Sequence, residues 1–514
     1  MEKENTKLNS DYVECKLGDL LTIERGGSPR PIKDYITEDK NGVNWIKIGD
    51  ATNSGKYILN TIQKIKPSGL KNSREVFPGD LLLSNSMSFG RPYIMGINGA
   101  IHDGWLVIRD NKHIDKNYLY HALGSPFVYN QFSKNAKGST VRNLNIDIVS
   151  EVNIRLDSLP EQRAIAAKIE ELFSDLDKGI DDLKQAKDQM VIYRQAVLKK
   201  AFEGELTKEW RENQINLLSA DELLEQITEE REKHFKQQIE NWKKAVKDWE
   251  KNGEKGKKPS SISKPKIIVD VKEDDIKDYE VLPNIWKWSR FGNVTYKIGD
   301  IDHKMPKTEE GGLPYLSTGN IKADGKIDFN NAKTISREDF ERLALKIKPE
   351  KGDIIFPRYG TIGRNILIDF DKEFLVSYAC AIIKNITKLM DPKFVLYYSL
   401  SPTIKKEIQR YTVQTTQANI GIASIELFVF PLCSKEEQHQ IVKEIESRLS
   451  VCDKVEQSIN DSLKKAKALR QSILKKAFEG KLLSSAEIAR CKQEKDYEPA
   501  AVLLEKIKEE KKKK

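Results

Sequence analysis

SLPEQRAIAAKIEELFSDLDKGIDDLKQAKDQMVIYRQAVLKKAFEGEL, residues 158–206, is the stretch whose reading decides the fold. Ser158 stands three residues before Glu161, a capping box, and Pro160 sits in the first turn, where a missing N–H costs nothing. Ile165, Ile169, Leu172, Leu176, Gly179, Leu183, Ala186, Met190, Tyr193 and Val197 follow at alternating steps of four and three. That is the 3.5-residue period of a coiled-coil seam, stopped by Lys199, Lys200 and Gly204. An amphipathic helix lying on a globular core is usually shorter and less regular.

The same pattern occurs a second time. SKEEQHQIVKEIESRLSVCDKVEQSINDSLKKAKALRQSILKKAFEGKL, residues 434–482, aligns without a gap at a displacement of 276. Ser434 and Glu437 repeat the capping box. Ile441, Ile445, Cys452, Val455, Ile459, Ala466, Leu469 and Ile473 repeat the seam, which Arg448 and Ser462 interrupt. The ends RQAVLKKAFEGEL and RQSILKKAFEGKL nearly coincide. Two seams on one chain can serve as each other's partners.

The segments between the helices are duplicated too. Residues 15–157 carry short β-like runs between turn residues, with a helix near Lys116–Leu123. From Leu282 that outline returns: Gly352-Asp353 and Gly363-Arg364 stand 273 residues beyond Gly79-Asp80 and Gly90-Arg91, and Ser401-Pro402 stands 276 beyond Ser125-Pro126. The tail LLEKIKEEKKKK resembles LLEQITEEREKH at 223–234. Outlines agree while most side chains in the globular parts differ. The expected architecture is α+β: two β-rich mixed domains joined by a long antiparallel two-helix coiled coil, as a tandem repeat with pseudo-two-fold symmetry. The boundaries follow: a first globular domain at 1–157, the central helix at 158–206, a charged helical extension and flexible linker at 207–282, a second domain at 283–433, the C-terminal long helix at 434–482, and a charged helical tail at 483–514. Antiparallel pairing is favoured because it brings the end of the first helix near the start of the second domain, so the connection need span little.

Composition narrows function. At 514 residues the chain exceeds one core, and no apolar run is long enough to cross a bilayer. Five scattered cysteines offer no zinc or disulfide spacing, so a cytoplasmic protein with reduced thiols is expected. The net charge of +9 mildly favours a polyanionic partner. GEKGKK at 253–258 lacks the gap and the hydroxyl of a phosphate-binding loop. Neither an Asn/Asp-Pro-Pro-aromatic methyltransferase motif nor a metal spacing among the six histidines is present. The expectation is no catalytic residue and no metal site. A two-fold object with unlike heads suits duplex DNA, whose half-sites lie one turn or more apart.

These features carry a family resemblance. The duplicated Glu161-Gln162 and Glu437-Gln438 helix starts, the RQ-x-[VI]-LKKAFEG-x-L ends and Leu282, Pro283, Trp286 and Trp288 make the chain resemble the specificity subunit of type I restriction–modification enzymes over nearly its whole length. The resemblance implies two target-recognition domains, each reading half of an asymmetric bipartite DNA site. It implies that the helices act as a ruler and a dock for two methyltransferase subunits, joined for cleavage by motor–nuclease subunits. S-adenosylmethionine, ATP and Mg2+ are expected on those partners and no cofactor on this chain. The first domain departs from the pattern, with SMSFGR at 86–91 where the second has YGTIGR at 359–364. A scaffold whose two heads bind proteins is the alternative.

Base edges are read by Arg, Lys, Asn and Gln on loops. The candidates in the first domain are Lys47, Asn85, Ser86, Arg91, Lys137, Arg142 and Asn143. In the second they are Thr318, Asn320, Arg358, Tyr359, Thr361, Arg364, Gln417 and Asn419.

Overall fold

Each globular domain is closed by a two-stranded antiparallel ribbon that ties its first strand to its last. Val13–Lys16 pairs with Asn153–Leu156 in the first, and Lys287–Arg290 with Val429–Leu432 in the second. The long helices therefore leave directly from a domain's closing strand: Leu159–Phe202 and Lys435–Phe478, each 44 residues. This computed structural model describes residues 11–513, apart from 53, 86–88, 110, 136–142, 256–257 and 414–417.

The chain divides into two compact units, 1–185 with 459–514, and 186–458. Both cuts fall inside the long helices rather than at the expected domain boundaries. Each unit holds one recognition domain, one half of each long helix, and the segment that follows the helix ending there.

In the first unit, two five-stranded sheets form the domain. One runs in the order Ile36–Thr37, Gln63–Ile65, Val43–Ile46, Gly99–Ile101, Arg74–Val76. The other runs Ile23–Arg25, Trp105–Ile108, Leu81–Ser84, Pro92–Met95, Tyr57–Ile58. In the second unit the corresponding four-stranded sheet is Thr295–Gly299, Cys380–Asn385, Ile354–Pro357, Ile366–Leu367, beside a three-stranded sheet of Lys333–Ile335, Leu313–Leu316 and Leu375–Val376. The repeated Gly-Asp pairs serve one turn in both domains. Gly79 and Gly352 take φ of +94° and +93°, a region that suits glycine. Asp80 accepts the Phe77 N–H (2.9 Å) and an Arg109 N–H (2.9 Å); Asp353 accepts the Glu350 N–H (2.7 Å) and a Lys384 N–H (2.5 Å).

Within each unit the helix segments run antiparallel. In the first, Ile165, Ala166 and Ile169 share a core with Ile473, Leu474 and Ala477. In the second, Val197, Leu198, Ala201 and Phe202 share one with Ile441, Val442 and Ile445. Ile459 is also buried, while Leu172, Leu176, Leu183 and Met190 are half-buried. Tyr193, Val455 and Leu469, expected in the seam, are instead 45%, 38% and 50% exposed. A helix of 3.6 residues per turn drifts about 20° per heptad from a strict 3.5 repeat. After four heptads the position one residue later faces the partner helix: Arg194 pairs with Asp453 (2.6 Å), and Arg470 with Asp177. Those two ion pairs are copies of one another, because 177 and 453, like 194 and 470, are 276 apart.

The segments after the helices are not free extensions. In the second unit the helix Ala220–Lys251 buries Ala220, Leu223 and Ile227 against the recognition domain. In the first, the tail helix Ala500–Lys512 buries Leu503, Leu504 and Ile507 in the domain core. Glu230 takes Lys388 (2.7 Å) where Glu510 takes Lys112 (2.8 Å), and these lysines are again 276 apart.

Candidate nucleic-acid interface and helix docks

The end of the strand Ile354–Pro357 in the second unit is tied by Arg358. Its guanidinium donates to Asp300 (2.6 Å), to the Tyr378 carbonyl (3.0 Å) and to the Ile420 carbonyl (3.0 Å), at 5% exposure. Four segments meet at this one side chain, so Arg358 braces the loops and is not available to a base. Asn320 is spent in the same way: its Oδ1 accepts the Ser317 N–H (2.9 Å) and hydroxyl (2.8 Å), and its Nδ2 donates to the Asp328 carbonyl (3.2 Å).

Around the brace lie groups that remain accessible. Arg364 is exposed just after Gly363, whose φ is +86°. Tyr359 is half-buried, bridges to Asn419, and sets its ring edge-on to Tyr378 at 6.1 Å. His303 stacks on the other ring of that pair, Tyr378, at 4.6 Å. Lys304 and Lys307 are exposed on the same loop as His303. Thr361 is half-buried, and its Oγ1 has no hydrogen-bond partner among the described residues. Thr318 is half-buried in the turn that Asn320 holds. Gln417 lies outside the described residues.

The first unit builds the corresponding edge differently. Asn85 follows the strand Leu81–Ser84, is buried, and donates to the Asp103 carbonyl (2.9 Å) while its own carbonyl accepts the Leu144 N–H (2.9 Å). It too is a brace and not a reader. Asp103 accepts the Ser28 hydroxyl (2.8 Å), and that hydrogen bond leads in holding its carboxyl below the usual range. His102 accepts the Ile48 N–H at Nε2 (3.1 Å), and burial pushes its pKa down. Arg91 is exposed with its guanidinium 5.2 Å from the Tyr93 ring centre. Arg25 and Arg30 are exposed beside Asp103, Asn143 is exposed, and Lys47 is half-buried with its N–H on Asp50 (2.8 Å). Ser86, Lys137 and Arg142 lie outside the described residues.

Arg25, Arg30, His303, Lys304 and Lys307, which are not among the sequence candidates, lie beside these groups. Their signal was positional: Arg25 and Arg30 flank Gly26-Gly27, and the others follow Gly299-Asp300. Both edges set cations on loops beside rings, which suits phosphate contact and donation to base acceptors.

Each domain is fixed to its long helix by the glutamine of the repeated Glu-Gln pair. Gln162 Oε1 accepts the Asp115 N–H (2.8 Å) and its Nε2 donates to the Asp157 carbonyl (2.8 Å). Gln438 accepts the Asp391 N–H (2.9 Å) and donates to the Cys433 carbonyl (2.9 Å). Asp115 and Asp391 are themselves the caps of the domain helices Lys116–Leu123 and Pro392–Ser399. Aromatic contacts repeat as well, Tyr118 with Phe478 at 5.4 Å and Phe394 with Phe202 at 5.2 Å.

The glutamates beside those glutamines differ. Glu437 is fully buried and accepts the Thr207 hydroxyl (2.7 Å), an Arg211 N–H (2.6 Å) and the Trp286 indole N–H (2.8 Å). Glu161 is 1% exposed and, among the described residues, accepts only from Ser158, through the hydroxyl (2.8 Å) and N–H (3.3 Å). Its Oε1 has no partner among the described residues, and burial pushes its carboxyl up. Among the described residues no group of three or more His, Cys, Asp or Glu is placed to hold a metal ion, and no helix is long and apolar enough to cross a membrane.

The family model for the type I restriction modification DNA specificity domain matches residues 9–185 and 283–465. The EcoBI specificity subunit of Escherichia coli is 25% identical over 508 residues, 98% of this chain and 93% of that protein. The EcoKI specificity subunit of Escherichia coli K12 is 22% identical over 525 residues, 98% and 96%. Among solved structures, a chain described under complex assembly and conformational transition of the type I R-M system matches 92% of this chain and 99% of its own, with a TM-score of 0.57 at 17% identity. The HsdS subunit from Thermoanaerobacter tengcongensis matches 94% and 100%, with a TM-score of 0.50 at 16% identity. These two share the fold. With two matched domains, each closed by a ribbon and clamped by its glutamine to a long helix, the chain belongs to the family of type I restriction–modification specificity subunits, the DNA-recognition component of those systems.

Proposed function

We propose that this chain reads an asymmetric, two-part DNA site, the domain within 1–157 reading one half and the domain within 283–433 the other. The supporting observation is the contrast between conserved joints and unlike edges. The helix docks are copies in backbone and in key side chains, whereas the Arg358 brace and the Asn85 brace present different cations and rings. Base contact belongs to the exposed or half-exposed groups: Arg91, Asn143 and Lys47 in the first domain, and Arg364, Tyr359, Thr361, Thr318 and Asn419 in the second. The long helices set the gap between half-sites.

The helices also dock two methyltransferase subunits, and Val191, Ile192, Tyr193 and Val451, exposed apolar side chains in the second unit, support such a role. Motor–nuclease subunits complete the cutting complex. S-adenosylmethionine, ATP and Mg2+ sit on those partners; this chain is non-catalytic, works in the cytoplasm and binds none of them. The test is Arg364→Ala in the complex with methyltransferase subunits: binding weakens on duplexes that vary the half-site read by the second domain, and discrimination at the other half is kept. Equal affinity of the unmodified complex for every duplex would overturn the reading.

A further inference from the structure

The helix Ala220–Lys251 runs on past the recognition domain. Its first turns bury Leu223 and Ile227, Glu230 accepts the Tyr296 hydroxyl (2.9 Å), and His234 stacks on the Tyr296 ring at 4.3 Å. Beyond His234 no residue of the helix is buried. The chain nevertheless stays helical to Lys251 and then returns beside itself: Trp242 donates to the Pro259 carbonyl (3.1 Å), Lys258 lies 5.5 Å from the Trp249 ring, and Arg231 donates to the Lys266 carbonyl (3.1 Å). Phe235, Ile239, Trp242, Val246 and Trp249, at steps of four and three, are half-buried, as are Pro259, Ile262 and Pro265 of the returning segment. This is a helical arm with its apolar stripe covered by its own chain.

The arm is strongly basic. Residues 232–266 hold eleven lysines against five carboxylates, which is most of the excess behind the chain's net charge of +9. The charge is also one-sided. At 100° per residue, Lys233, Lys236, Lys243, Lys244, Lys247 and Lys251 fall within a sector of about 100°, over roughly 27 Å of helix. All six are exposed, and Glu240 is the one carboxylate in that sector. Like charges three or four residues apart on one helix face, such as Lys233 with Lys236 and Lys243 with Lys247, repel one another, and an anion alongside would relieve that repulsion. Where the arm leaves the recognition domain, His234 lies on Tyr296 at the start of the strand Thr295–Gly299, whereas Asp300, which Arg358 holds, follows that strand's other end.

We propose that this arm is a third, sequence-independent DNA contact: its lysine face lies along the phosphate backbone of duplex outside the half-site that the second domain reads. The inference rests on the DNA-reading function proposed above. It adds affinity and register without reading bases, since lysines on phosphates carry charge but no sequence information.

The test uses the full chain assembled with its methyltransferase subunits, a 40-bp duplex (~40 bp being ample for a two-part site) carrying the host's mapped methylation site, and the same duplex with both half-sites scrambled. One variant carries Lys243→Gln, Lys244→Gln, Lys247→Gln and Lys251→Gln; a second carries arginine at the same four positions. Glutamine has about lysine's helix propensity, so the arm stays folded. The expected result is that the slope of log affinity against log salt becomes shallower by about 3 to 4 for the glutamine variant, equally on both duplexes. The preference for the target stays unchanged, and the arginine variant keeps the original slope. An unchanged slope would overturn the proposal, as would loss of target preference in the glutamine variant, or loss of subunit assembly with DNA binding intact, which would make the arm a protein interface. Failure of the unmodified complex to prefer its target would instead strike the function proposed above.

Discussion

The two joints between recognition domain and long helix use the same glutamine and the same capping serine, yet one satisfies its glutamate and the other does not. At Glu437 three donors converge: Thr207 and Arg211 from the segment after the first helix, and Trp286 from the strand entering the second domain. At Glu161 the positions 276 further along from Thr207 and Arg211 are Leu483 and Glu487, neither able to donate from its side chain. Arg155 lies instead over Gly480 at the helix end, but its Nε and Nη2 go to Asp157, which also accepts the Tyr118 hydroxyl. Duplication therefore preserves the backbone joint, while the buried carboxylate is fully partnered at Glu437 and, among the described residues, only through one oxygen at Glu161. A fixed frame that tolerates changed side chains is what unlike readers require.

The sharpest way to break this comparison is at the positions where the joints are equal. Ile169→Asp and Ile445→Asp each place a charge among fully buried neighbours and should each cost about 3–5 kcal/mol, read by urea unfolding. A small loss at either site would mean that the helices do not pack there. Next are the glutamates. Glu437→Gln removes the charged partner of Arg211 in a buried site and should cost about 2–4 kcal/mol. Glu161→Gln should cost little or stabilise by up to about 1 kcal/mol at neutral pH. The sign follows from its raised carboxyl. The folded state holds the proton more tightly than the unfolded chain, so the protonated form's advantage is present at low pH and lost as pH rises through the folded pKa. Unfolding at pH 4 and pH 7 should thus show the Glu161→Gln gain growing with pH; a gain that shrinks would contradict the assignment.

The smallest effect belongs to the duplicated cross-helix pairs. Arg194→Ala and Arg470→Ala should each cost about 0.2–1 kcal/mol, since both pairs are partly exposed. Both losses should fade in high salt.

How far the sequence foretold this depends on what repeats. The paired helices and the pairing direction were legible because capping boxes, seam and AFEG stops recur at one displacement. Arg194 and Arg470 were not foreseen as facing inward, because a strict heptad count ignores helical drift and assigned that place to Tyr193 and Leu469. The glutamine clamp was visible only as a repeated letter: Gln162 and Asp115 show no spacing that betrays their contact. Readers were the least legible. Asn85, Asn320 and Arg358 are polar, lie at strand ends or in turns, and look like base readers, but burial turns each into a brace. A loop's polar residue holds the loop or meets a ligand according to whether carbonyls surround it, and that is a tertiary fact.

The central claim is that the two edges read independently on a common frame. The most direct measurement is to replace residues 283–433 with the second recognition domain of another family member and map methylated positions across the host genome. The account predicts that one half of the modified sequence changes while the other half and the gap between them stay the same. A change in both halves, or in the gap, would contradict it.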